Sequence, residues 1–575
     1  MAERGRARLT SDPKVLLLTV LTGLGTGLIA VLFKTAIHLV SAVGLETMLS
    51  VRGWARVLLG LVVPAAGGLL VSLSLTYLNR ADRSHGIPDV MEQVALREGY
   101  VSGKAAWLAP LNASLVLGTG NSAGPEGPVV HAGAGLGSFI GRYTGLSTPW
   151  VKALVIAGSA SALAAMYNAP VAGTLFALEV IAGELDMGVL SLSLIASVVS
   201  SVISRSVFGS SPAFAVAEYH LVSIWELFPY ALLGALCGAV AHLYNRAVHW
   251  SGVLFRTRVP VPAFWQPVLG GLLVGAVGLF LPQILGPGED TIEAMLRGDA
   301  AYGAGLLALL AVVKILTTAT TVGSGQPGGI FTPALFVGAA TGGAFGWCVS
   351  ALAPGLTGGQ GAYALVGMGA LLGGSLRAPV TAVILLFELT GDYRIILPLM
   401  LAAGVSYLMG TRISPDSIYT QVLTARGIDL EAGRNANLLR AITVAEAMTA
   451  PVITVRPSDT LEQVIRLLQS TRHSGFPVVE GDRVVGVITL NDIRATPLQG
   501  RLQRRVSEVM SRRLVTADPT ESLHAALLRL QEHGIGRLIV LDREGKLVGV
   551  LTRTDAIKAY YRRQIETEML TESEV

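Results

Sequence analysis

Charged residues are scarce in this chain. They make up 14% of its 575 residues, whereas soluble globular proteins carry roughly a quarter. Hydrophobic residues make up 51%, 67 residues are glycine, and the mean hydropathy is +0.58. This composition predicts a protein that crosses a membrane several times, with enough length left for a soluble domain.

Cysteine is rare, and histidines in a metal-binding motif are absent. The two cysteines, Cys237 and Cys348, lie in apolar runs, which excludes a disulfide framework and a paired-cysteine metal site. No His-Glu-x-x-His motif occurs among the nine histidines, so the zinc site of an intramembrane protease is absent. The net charge of +4 comes without a basic run interleaved with aromatics, which argues against nucleic acid as a partner. We therefore expect neither an enzyme nor a metal site.

The N-terminus is basic and runs directly into an apolar segment. Arg4, Arg6, Arg8 and Lys14 precede that segment, and no small-residue cleavage site is visible. We expect a retained first span with its N-terminus in the cytoplasm.

Several further segments are apolar over a length that crosses a bilayer. The predicted spans are residues 15–40, 57–78, 187–207, 227–248, 267–285, 303–320 and 396–409. Residues 128–141 and 333–346 are apolar too, but each has only 14 residues, and a crossing takes about 20 helical residues. Such short pieces are tolerated at membrane depth only where protein or a cavity surrounds them.

The membrane part contains an internal repeat. Two motifs recur in the same order, residues 128–141 as 333–346 and residues 168–171 (NAPV) as 377–380 (RAPV). Each copy of the second motif leads to a glutamate at the same spacing, Glu179 and Glu388. Paired interrupted segments in two halves point to a transporter whose binding site lies between the repeats.

After Tyr419 the composition changes to alternating strands and amphipathic helices with many charges, as in a soluble α/β domain. This part repeats as well: residues 444–448 recur as 506–510, and 486–492 recur as 549–555. Two copies of a β-α-β-β-α unit follow from this. The predicted divisions are an N-terminal segment 1–14, a membrane domain 15–420, a linker 421–440, a first copy 441–498, a second copy 503–562 and a tail 563–575.

Glu126 is the only charged residue between positions 105 and 141. It lies in the sequence GPEGP at 124–128, where Pro128 suits a first helical turn. The amides and dipole of a helix N-terminus favour an anion. An ionisable group at this depth is expected to be functional: its carboxylate can occupy the anion site, or leave when protonated and admit a halide.

A second helix start lies in GGIFTP at 328–333, inside the uncharged run 315–375. The backbone N–H groups of Ile330 and Phe331 offer partial charges to an anion. A full positive charge would hold the ion too tightly to conduct it, whereas partial charges let it arrive and leave. SHGIP at 84–88 is a third such start.

Together these segments resemble the CLC family of chloride channels and chloride/proton antiporters. Residues 84–88 look like the family's GSGIP, 124–128 like its G-(R/K)-E-G-P and 329–333 like its G-x-F-x-P. Tyr419 falls where the family has a pore tyrosine. The similarity covers about residues 15 to 420, and the soluble repeat resembles the tandem CBS pair that many family members carry.

The resemblance implies a multi-pass α-helical membrane domain of inverted repeats, followed by a soluble α/β CBS pair. It implies a homodimer in the bacterial cell (inner) membrane with one pore per subunit, and with the N-terminus and CBS pair in the cytoplasm. The partners would be chloride or a related anion, membrane lipid and, in an antiporter, protons. Glu126 would be the gate and proton carrier. The anion-binding residues would be His85, Gly86, Ile330, Phe331 and Tyr419.

Three positions depart from the family pattern. His85 replaces a serine associated with anion choice, so chloride, nitrate and fluoride remain alternatives. Pro125 replaces the basic residue before the gate. Val180 replaces the internal proton glutamate of the antiporters, which favours a channel-like or weakly coupled protein over an antiporter using another proton route. Glu179 itself is expected to make a helix-end contact, in parallel with Glu388.

The CBS resemblance implies a regulatory site for ATP, ADP or AMP, with no cofactor required. Its candidate residues are Thr489, Asp492, Thr552 and Asp555. A carboxylate suits a ribose diol, and a hydroxyl at a helix N-terminus suits phosphate. The equal alternative is that these residues only cap the helices that follow. Dimerisation or trafficking are other roles for the pair.

Two competing functions remain. A magnesium-type cation transporter would need carboxylates lining its path, but only Glu126, Glu179 and Glu388 are available, and two of these are repeat-equivalent. A fluoride exporter related to the CLC family is suggested by the altered segment 84–88. Tyr419 and the CBS pair argue against it.

Overall fold

The computed structural model describes residues 12–78, 86–210, 214, 222–299, 301–354, 357–430, 439–440, 442–471, 473–542 and 544–573. The chain forms two compact units, Met1–Arg426 and Gly427–Val575. The boundary lies within the predicted linker 421–440. A short helix from Thr420 to Ala425 belongs to the first unit, so the first residues of that predicted linker are helical instead.

The first unit is helical throughout its described part. Its α-helices are α1 Pro13–Ser41, α2 Thr47–Ser50, α3 Trp54–Tyr77, α4 Ile87–Leu96, α5 Gly103–Gly118, α6 Glu126–Tyr143, α7 Thr148–Tyr167, α8 Pro170–Phe176, α9 Met187–Phe208, α10 Leu227–Thr257, α11 Gln266–Gly278, α12 Glu289–Leu296, α13 Ala304–Gly323, α14 Phe331–Leu352, α15 Gly359–Leu376, α16 Pro379–Thr390, α17 Ile396–Ile413 and α18 Thr420–Ala425. Two π-helical turns, Ala42–Glu46 and Ala177–Ala182, extend α1 and α8. Two 3-10 turns, Ile224–Glu226 and Pro282–Ile284, flank the middle helices.

Within the described residues, eight helical segments are long and apolar enough to cross a membrane. They are Pro13–Ser50, Trp54–Tyr77, Thr148–Tyr167, Met187–Phe208, Ile224–Thr257, Ala304–Gly323, Phe331–Leu352 and Ile396–Ile413. Six of them coincide with predicted spans to within one residue or include them.

Two predictions about spans were wrong, and one long helix was not predicted. The predicted span 267–285 is a helix of 13 residues, Gln266–Gly278, and a separate 3-10 turn, because Pro282 cannot continue a helix begun before it. The segment 333–346 was judged too short, but α14 has 22 residues. Helix α7, with 20 residues, was missed. Glycine and alanine dilute the hydropathy of both helices, and close packing of small residues compensates for it.

The two halves of the first unit repeat each other at the level of backbone geometry. Asn168 and Arg377, which follow α7 and α15, both adopt the left-handed conformation, with φ of 59° and 63°. Gly133 of α6 packs directly against a backbone carbonyl of α7, and Gly338 of α14 does the same against α15, so a Cβ at either glycine would collide. The repeat inferred from the sequence therefore corresponds to equivalent helix pairs.

Helices α6 and α14 begin side by side, because Gly124 and Gly329, just before them, are joined by backbone hydrogen bonds. The end of α6 lies beside the start of α1, where Lys14 Nζ donates to the Thr144 carbonyl at 3.0 Å. Beyond the end of α14, Gln360 Nε2 donates to the Tyr302 carbonyl at 3.1 Å.

The second unit contains two small sheets. Its elements are α19 Val444–Ala447, α20 Leu461–Thr471, β1 Gly475–Glu480, β2 Arg483–Thr489, α21 Leu490–Ala495, a 3-10 turn Arg501–Gln503, α22 Val506–Val509, β3 Thr516–Ala517, α23 Leu523–Glu532, β4 Arg537–Leu541, β5 Leu547–Thr552 and α24 Arg553–Ser573. Strands β1 and β2 pair antiparallel, and β4 lies between a parallel β3 and an antiparallel β5. In the first copy, a single parallel bridge between Val455 and Val478 stands where the second copy has β3.

The hydrophobic cores of the two copies are interleaved. Val444 and Ala447 of α19 pack with residues of the second copy, including Leu523 and Leu551. Val506 of α22 packs with the first copy. The predicted divisions 441–498 and 503–562 thus separate the motifs but not the cores. Helix α24 also runs to Ser573, through the segment predicted as a tail from 563.

Candidate functional site

A two-residue backbone bridge joins the two halves of the membrane domain. The amide of Gly124 donates to the Gly329 carbonyl at 2.7 Å, and the amide of Gly329 donates to the Gly124 carbonyl at 2.5 Å. Helices α6 and α14 start two residues after these glycines. The bridge therefore places the two helix N-termini side by side.

Glu126 is the first residue of α6 and is fully buried. Its Oε1 accepts a hydrogen bond at 2.8 Å from the backbone amide of Thr332, in the first turn of α14. The hydroxyls of Thr332 and Tyr167 also donate to Oε1, and these two hydroxyls lie 2.6 Å apart. A side-chain carboxylate of one half thus binds the helix N-terminus of the other half, where dipole and free amides favour negative charge.

The other carboxylate oxygen, Oε2, accepts no hydrogen bond from the described residues although it is buried. It lies against the two bridge glycines. A Cβ at Gly124 or Gly329 would collide with the carboxylate. Both positions therefore need glycine for the carboxylate to fit.

A cavity of about 520 Å³ reaches this point from one side; we name it the central cavity. Its lining includes three of the predicted anion-binding residues, Gly86, Ile330 and Tyr419, together with Gly127. Glu126 is not part of the lining and lies behind Gly127. The central cavity therefore ends at the buried carboxylate.

Three helix N-termini meet at the inner end of the central cavity. A Cβ placed on Gly127 would lie 3.7 Å from the Cα atoms of both Gly86 and Gly329. Gly86 caps α4, Gly127 is the second residue of α6, and Gly329 comes just before α14. The positive ends of three helix dipoles converge here with no lysine or arginine among these residues.

The remaining predicted anion-binding residues have different surroundings. The Tyr419 hydroxyl is buried and has no hydrogen-bond partner among the described residues. Phe331 is buried outside the cavity lining, and its ring packs against Tyr167 and Phe176 with centroids 5.9 and 6.0 Å away. Only its backbone amide, in the first turn of α14, is suited to an anion. His85 lies outside the described residues.

Three functional contacts could not be found from the sequence. Tyr167 and Thr332 bind the Glu126 carboxylate, and the Tyr244 hydroxyl donates to the Ile330 carbonyl at 2.6 Å. Tyr167 directly precedes the repeat motif NAPV, and Thr332 lies within GGIFTP. The motif NAPV predicted a repeat and GGIFTP predicted amide donors, but no spacing in the sequence links these hydroxyls to Glu126.

Val180 is buried in the π-helical turn Ala177–Ala182 and has no group that titrates. The neighbouring Glu179 accepts from the amides of Val380 and Thr381 at 3.3 and 2.8 Å, and from the Thr381 hydroxyl at 2.6 Å. The expected helix-end role of Glu179 is confirmed: its carboxylate caps α16.

Glu388 makes the reciprocal contact. It accepts from the amides of Val171 and Ala172 at 3.1 and 2.7 Å, at the start of α8. Each half of the membrane domain therefore caps a helix of the other half with an equivalent glutamate.

In the soluble unit, the candidate nucleotide residues form two capping boxes. The Thr489 amide and hydroxyl donate to Asp492 Oδ2 at 2.8 and 2.6 Å. The Thr552 amide and hydroxyl donate to Asp555 Oδ2 at 3.0 and 2.5 Å. The structure thus has the helix-capping arrangement that the sequence left as the alternative.

An arginine links the two copies beside the first capping box. Arg537 of β4 donates to the Gly475 carbonyl and, at 2.7 Å, to the Ser474 hydroxyl. Burial lowers the pKa of the Arg537 guanidinium, and the nearby Asp492 carboxylate opposes that shift. This places a cation of the second copy near the candidate residues of the first.

Both units of the chain match known protein families. The family described as voltage gated chloride channel matches residues 67–411, and the CBS domain matches residues 444–497 and 506–562. The chain belongs to the voltage-gated chloride channel family. A relative from Ralstonia nicotianae, "Putative chloride channel protein ClcB-like", is 35% identical over 375 residues, which are 64% of this chain and 86% of the relative.

The family includes exchangers as well as channels. "H(+)/Cl(-) exchange transporter ClcA" of Vibrio cholerae is 31% identical over 431 residues, covering 71% of this chain and 89% of that protein. The crystal structure of a slow cyanobacterial Cl-/H+ antiporter superposes with a TM-score of 0.66 at 25% identity, over 72% of this chain and 98% of that one. The chain is thus a multi-pass membrane protein of an anion-transport family with a C-terminal CBS pair.

Proposed function

We propose that the chain conducts a chloride-type anion through the central cavity and past Glu126, whose carboxylate is the gate. One observation carries the proposal: the carboxylate of Glu126 lies on the free N-terminal amide of Thr332, a place suited to an anion. The amides of Ile330 and Phe331 and the Tyr419 hydroxyl supply neutral donors on the way to it.

The gate works by exchange of one anion for another. Ionised Glu126 is held by the Thr332 amide and by the Thr332 and Tyr167 hydroxyls. Hydrogen bonds to an ionised acceptor are roughly twice as strong as those to a neutral one. Protonation therefore loosens the carboxyl group, and a halide can take its place against the same donors.

Reconstitution in liposomes tests this function. The purified protein should release chloride from loaded vesicles, faster in acid than in alkaline buffer. Nitrate and fluoride measured in parallel decide among the anions that His85 leaves open. Absence of any anion efflux above protein-free vesicles would reject anion conduction.

We propose channel-like or weakly proton-coupled transport, because Val180 cannot relay a proton from the inner side. The alternative is an antiporter with another proton route. The 31% identical relative from Vibrio cholerae, which is named an exchanger, supports this alternative. Following vesicle pH during chloride efflux separates the two. Uphill proton movement driven by a chloride gradient would establish antiport.

We further propose that the CBS pair binds ATP, ADP or AMP as a regulator. Thr489 and Thr552 lie at helix N-termini suited to phosphate, and Asp492 and Asp555 suit a ribose diol. Arg537 adds a cation beside the first of these sites. Equilibrium dialysis with ATP should show binding that Asp555→Ala weakens, and no binding by the unaltered protein would end the idea.

We place the protein in the bacterial cell (inner) membrane as a homodimer, with the N-terminus and CBS pair in the cytoplasm. The basic residues before α1 support this orientation. The mass of the detergent-solubilised protein, after subtraction of detergent, should be twice the 60.0 kDa of one chain. A value of one chain mass would reject the dimer.

A further inference from the structure

A second cavity, of about 290 Å³, opens between α10, the end of α15 and the segment that follows α17; we name it the side cavity. Its lining includes His242, Arg246, His249, Arg377 and Asp416. Two guanidinium groups and two imidazoles thus face one space with a single carboxylate. At the inner end of the central cavity, by contrast, Gly86, Gly127 and Gly329 offer only backbone groups.

Helix α10 supplies one basic face to the side cavity. His242, Arg246 and His249 are spaced by four and three residues, which places them on one side of the helix. Asn245 on the same side fixes its rotation, because Nδ2 donates to the Ser375 carbonyl at 3.2 Å and Oδ1 accepts from the Ser375 hydroxyl at 2.5 Å.

Arg377 supplies the opposite wall. Its Nη2 donates to the carbonyls of Gly410, Ser414 and Asp416 at 2.8, 2.6 and 3.3 Å. Its Nε and Nη1 are buried and have no hydrogen-bond partner among the described residues. Burying a charged donor without an acceptor is unfavourable, so this guanidinium has donors available for an anion in the side cavity.

The one carboxylate, Asp416, cannot neutralise both guanidinium groups. Asp416 Oδ1 accepts from the Thr424 hydroxyl at 3.1 Å, and Arg377 meets the backbone carbonyl of Asp416. Among the described residues, neither Arg246 nor Arg377 forms an ion pair with a carboxylate. The side cavity therefore keeps a net positive charge.

We propose that the side cavity binds a phosphate group. Guanidinium groups prefer oxyanions such as phosphate, to which they can offer several N–H donors. A conducted halide is handled by partial charges, whereas several full charges would retain it. The phosphate comes either from free phosphate in solution or from the headgroup of an anionic lipid.

Phosphate bound in the side cavity would lie next to the central cavity. The side and central cavities share Asn245, His249 and Gln421 in their linings. A polyvalent anion in the side cavity repels an anion in the central cavity and narrows the access to the central cavity. Inhibition of chloride flux by phosphate rests on the proposed function, but phosphate binding itself does not.

Binding is tested directly with the full-length protein in nanodiscs of phosphatidylcholine, by equilibrium dialysis of radiolabelled inorganic phosphate. The unaltered protein should bind saturably, and Arg246→Gln should weaken binding roughly tenfold or more, as loss of a charge-assisted hydrogen bond predicts. Arg246 is exposed on α10, so its replacement leaves the fold intact. Arg246→Lys, which keeps the charge, should lose less.

Two controls locate the site. Arg412→Gln removes an equally exposed charge near the end of α17, outside the side cavity, and should leave binding unchanged. Lys558→Gln, which removes an exposed charge in the CBS pair, should also leave it unchanged. Absence of saturable binding, or equal binding by the unaltered protein and Arg246→Gln, would overturn the proposal even if chloride transport were established.

The source of the phosphate is decided by lipid composition. In nanodiscs containing phosphatidylglycerol, a headgroup site predicts that free phosphate binding falls several-fold, because the lipid already occupies the side cavity. A site for free phosphate predicts the same binding in both lipids. Either result is interpretable only with the Arg246→Gln loss, which identifies the cavity.

Discussion

The two halves of the membrane domain make equivalent contacts where each caps a helix of the other. They carry different residues at the point where their helix N-termini meet. Glu179 and Glu388 occupy equivalent positions and make equivalent contacts, each capping a helix of the opposite half. At the meeting point, Glu126 of the first half aligns with Phe331 of the second, two residues before Pro128 and Pro333 respectively.

The difference separates glutamates with a structural role from the glutamate proposed to act in transport. A glutamate present in both halves caps a helix end, and the repeat produces one such end in each half. A glutamate present in one half only has a partner of another kind, the bare helix N-terminus at Thr332. An acid on both sides would fill the same small space with two like charges, and an aromatic on both sides would leave nothing to exchange with an anion.

Glu126→Gln tests the proposed gate directly and has the largest expected effect. The amide imitates the protonated side chain, so chloride flux should rise about tenfold in alkaline buffer, equivalent to ~1.4 kcal/mol, and lose its dependence on pH. The measurement is chloride efflux from liposomes across a pH series. Glu184→Gln, which removes an exposed acid in the same half of the membrane domain, should behave as the unaltered protein. Unchanged flux and pH response in Glu126→Gln would reject the gate.

The symmetric pair is tested by Glu179→Gln and Glu388→Gln. Glutamine has one acceptor oxygen for amides that a carboxylate meets with two, so each change should cost about 1–3 kcal/mol of stability. Denaturant unfolding of the purified protein should give similar losses for the two variants. A loss confined to one of them would show that the halves are not equivalent at this joint.

Tyr167→Phe tests how the Glu126 carboxylate is held. The hydroxyl donates to the Glu126 carboxylate, so its removal weakens the hold on the ionised side chain, and acid activation of flux should begin at higher pH. Tyr244→Phe is the matched control, because that hydroxyl binds the Ile330 carbonyl and not Glu126. An unaltered pH profile in Tyr167→Phe would mean that the Thr332 contacts alone hold the gate.

The smallest expected effect is that of Val180→Glu, which adds an acid to the first half only. A titratable group at this buried turn should introduce measurable proton movement during chloride efflux, recorded as a pH change outside the vesicles. Val180→Gln matches its size without titrating and should introduce none. Equal proton movement in both variants would argue that Val180 does not decide the coupling.

Much of the fold was predictable because it rests on local chemistry. Glu126 was conspicuous as a lone charge, and the motifs at 168–171 and 377–380 predicted the repeat and the helix-end role of Glu179. Residues 267–285 were mispredicted because their apolar composition concealed the break at Pro282.

Long-range partners could not be predicted in the same way. The Glu126 carboxylate meets Tyr167 and Thr332, 41 and 206 residues away along the chain. Nothing in the spacing of these residues indicates that their hydroxyls converge. The interleaved CBS cores were missed for the same reason, since the motif at 444–448 packs beside strands about 100 residues later.

The bridge between Gly124 and Gly329 has a consequence for the speed of opening. Two backbone hydrogen bonds fasten the halves together beside the gate, so the halves cannot part there without breaking both. If Glu126 is the gate, as proposed, opening needs only the reorientation of its side chain. Side-chain reorientation belongs to a faster class of motion than the rocking of packed helices, which takes microseconds to milliseconds. We therefore expect the supply of protons to the Glu126 carboxylate, and not the rearrangement of helices, to limit the rate of opening.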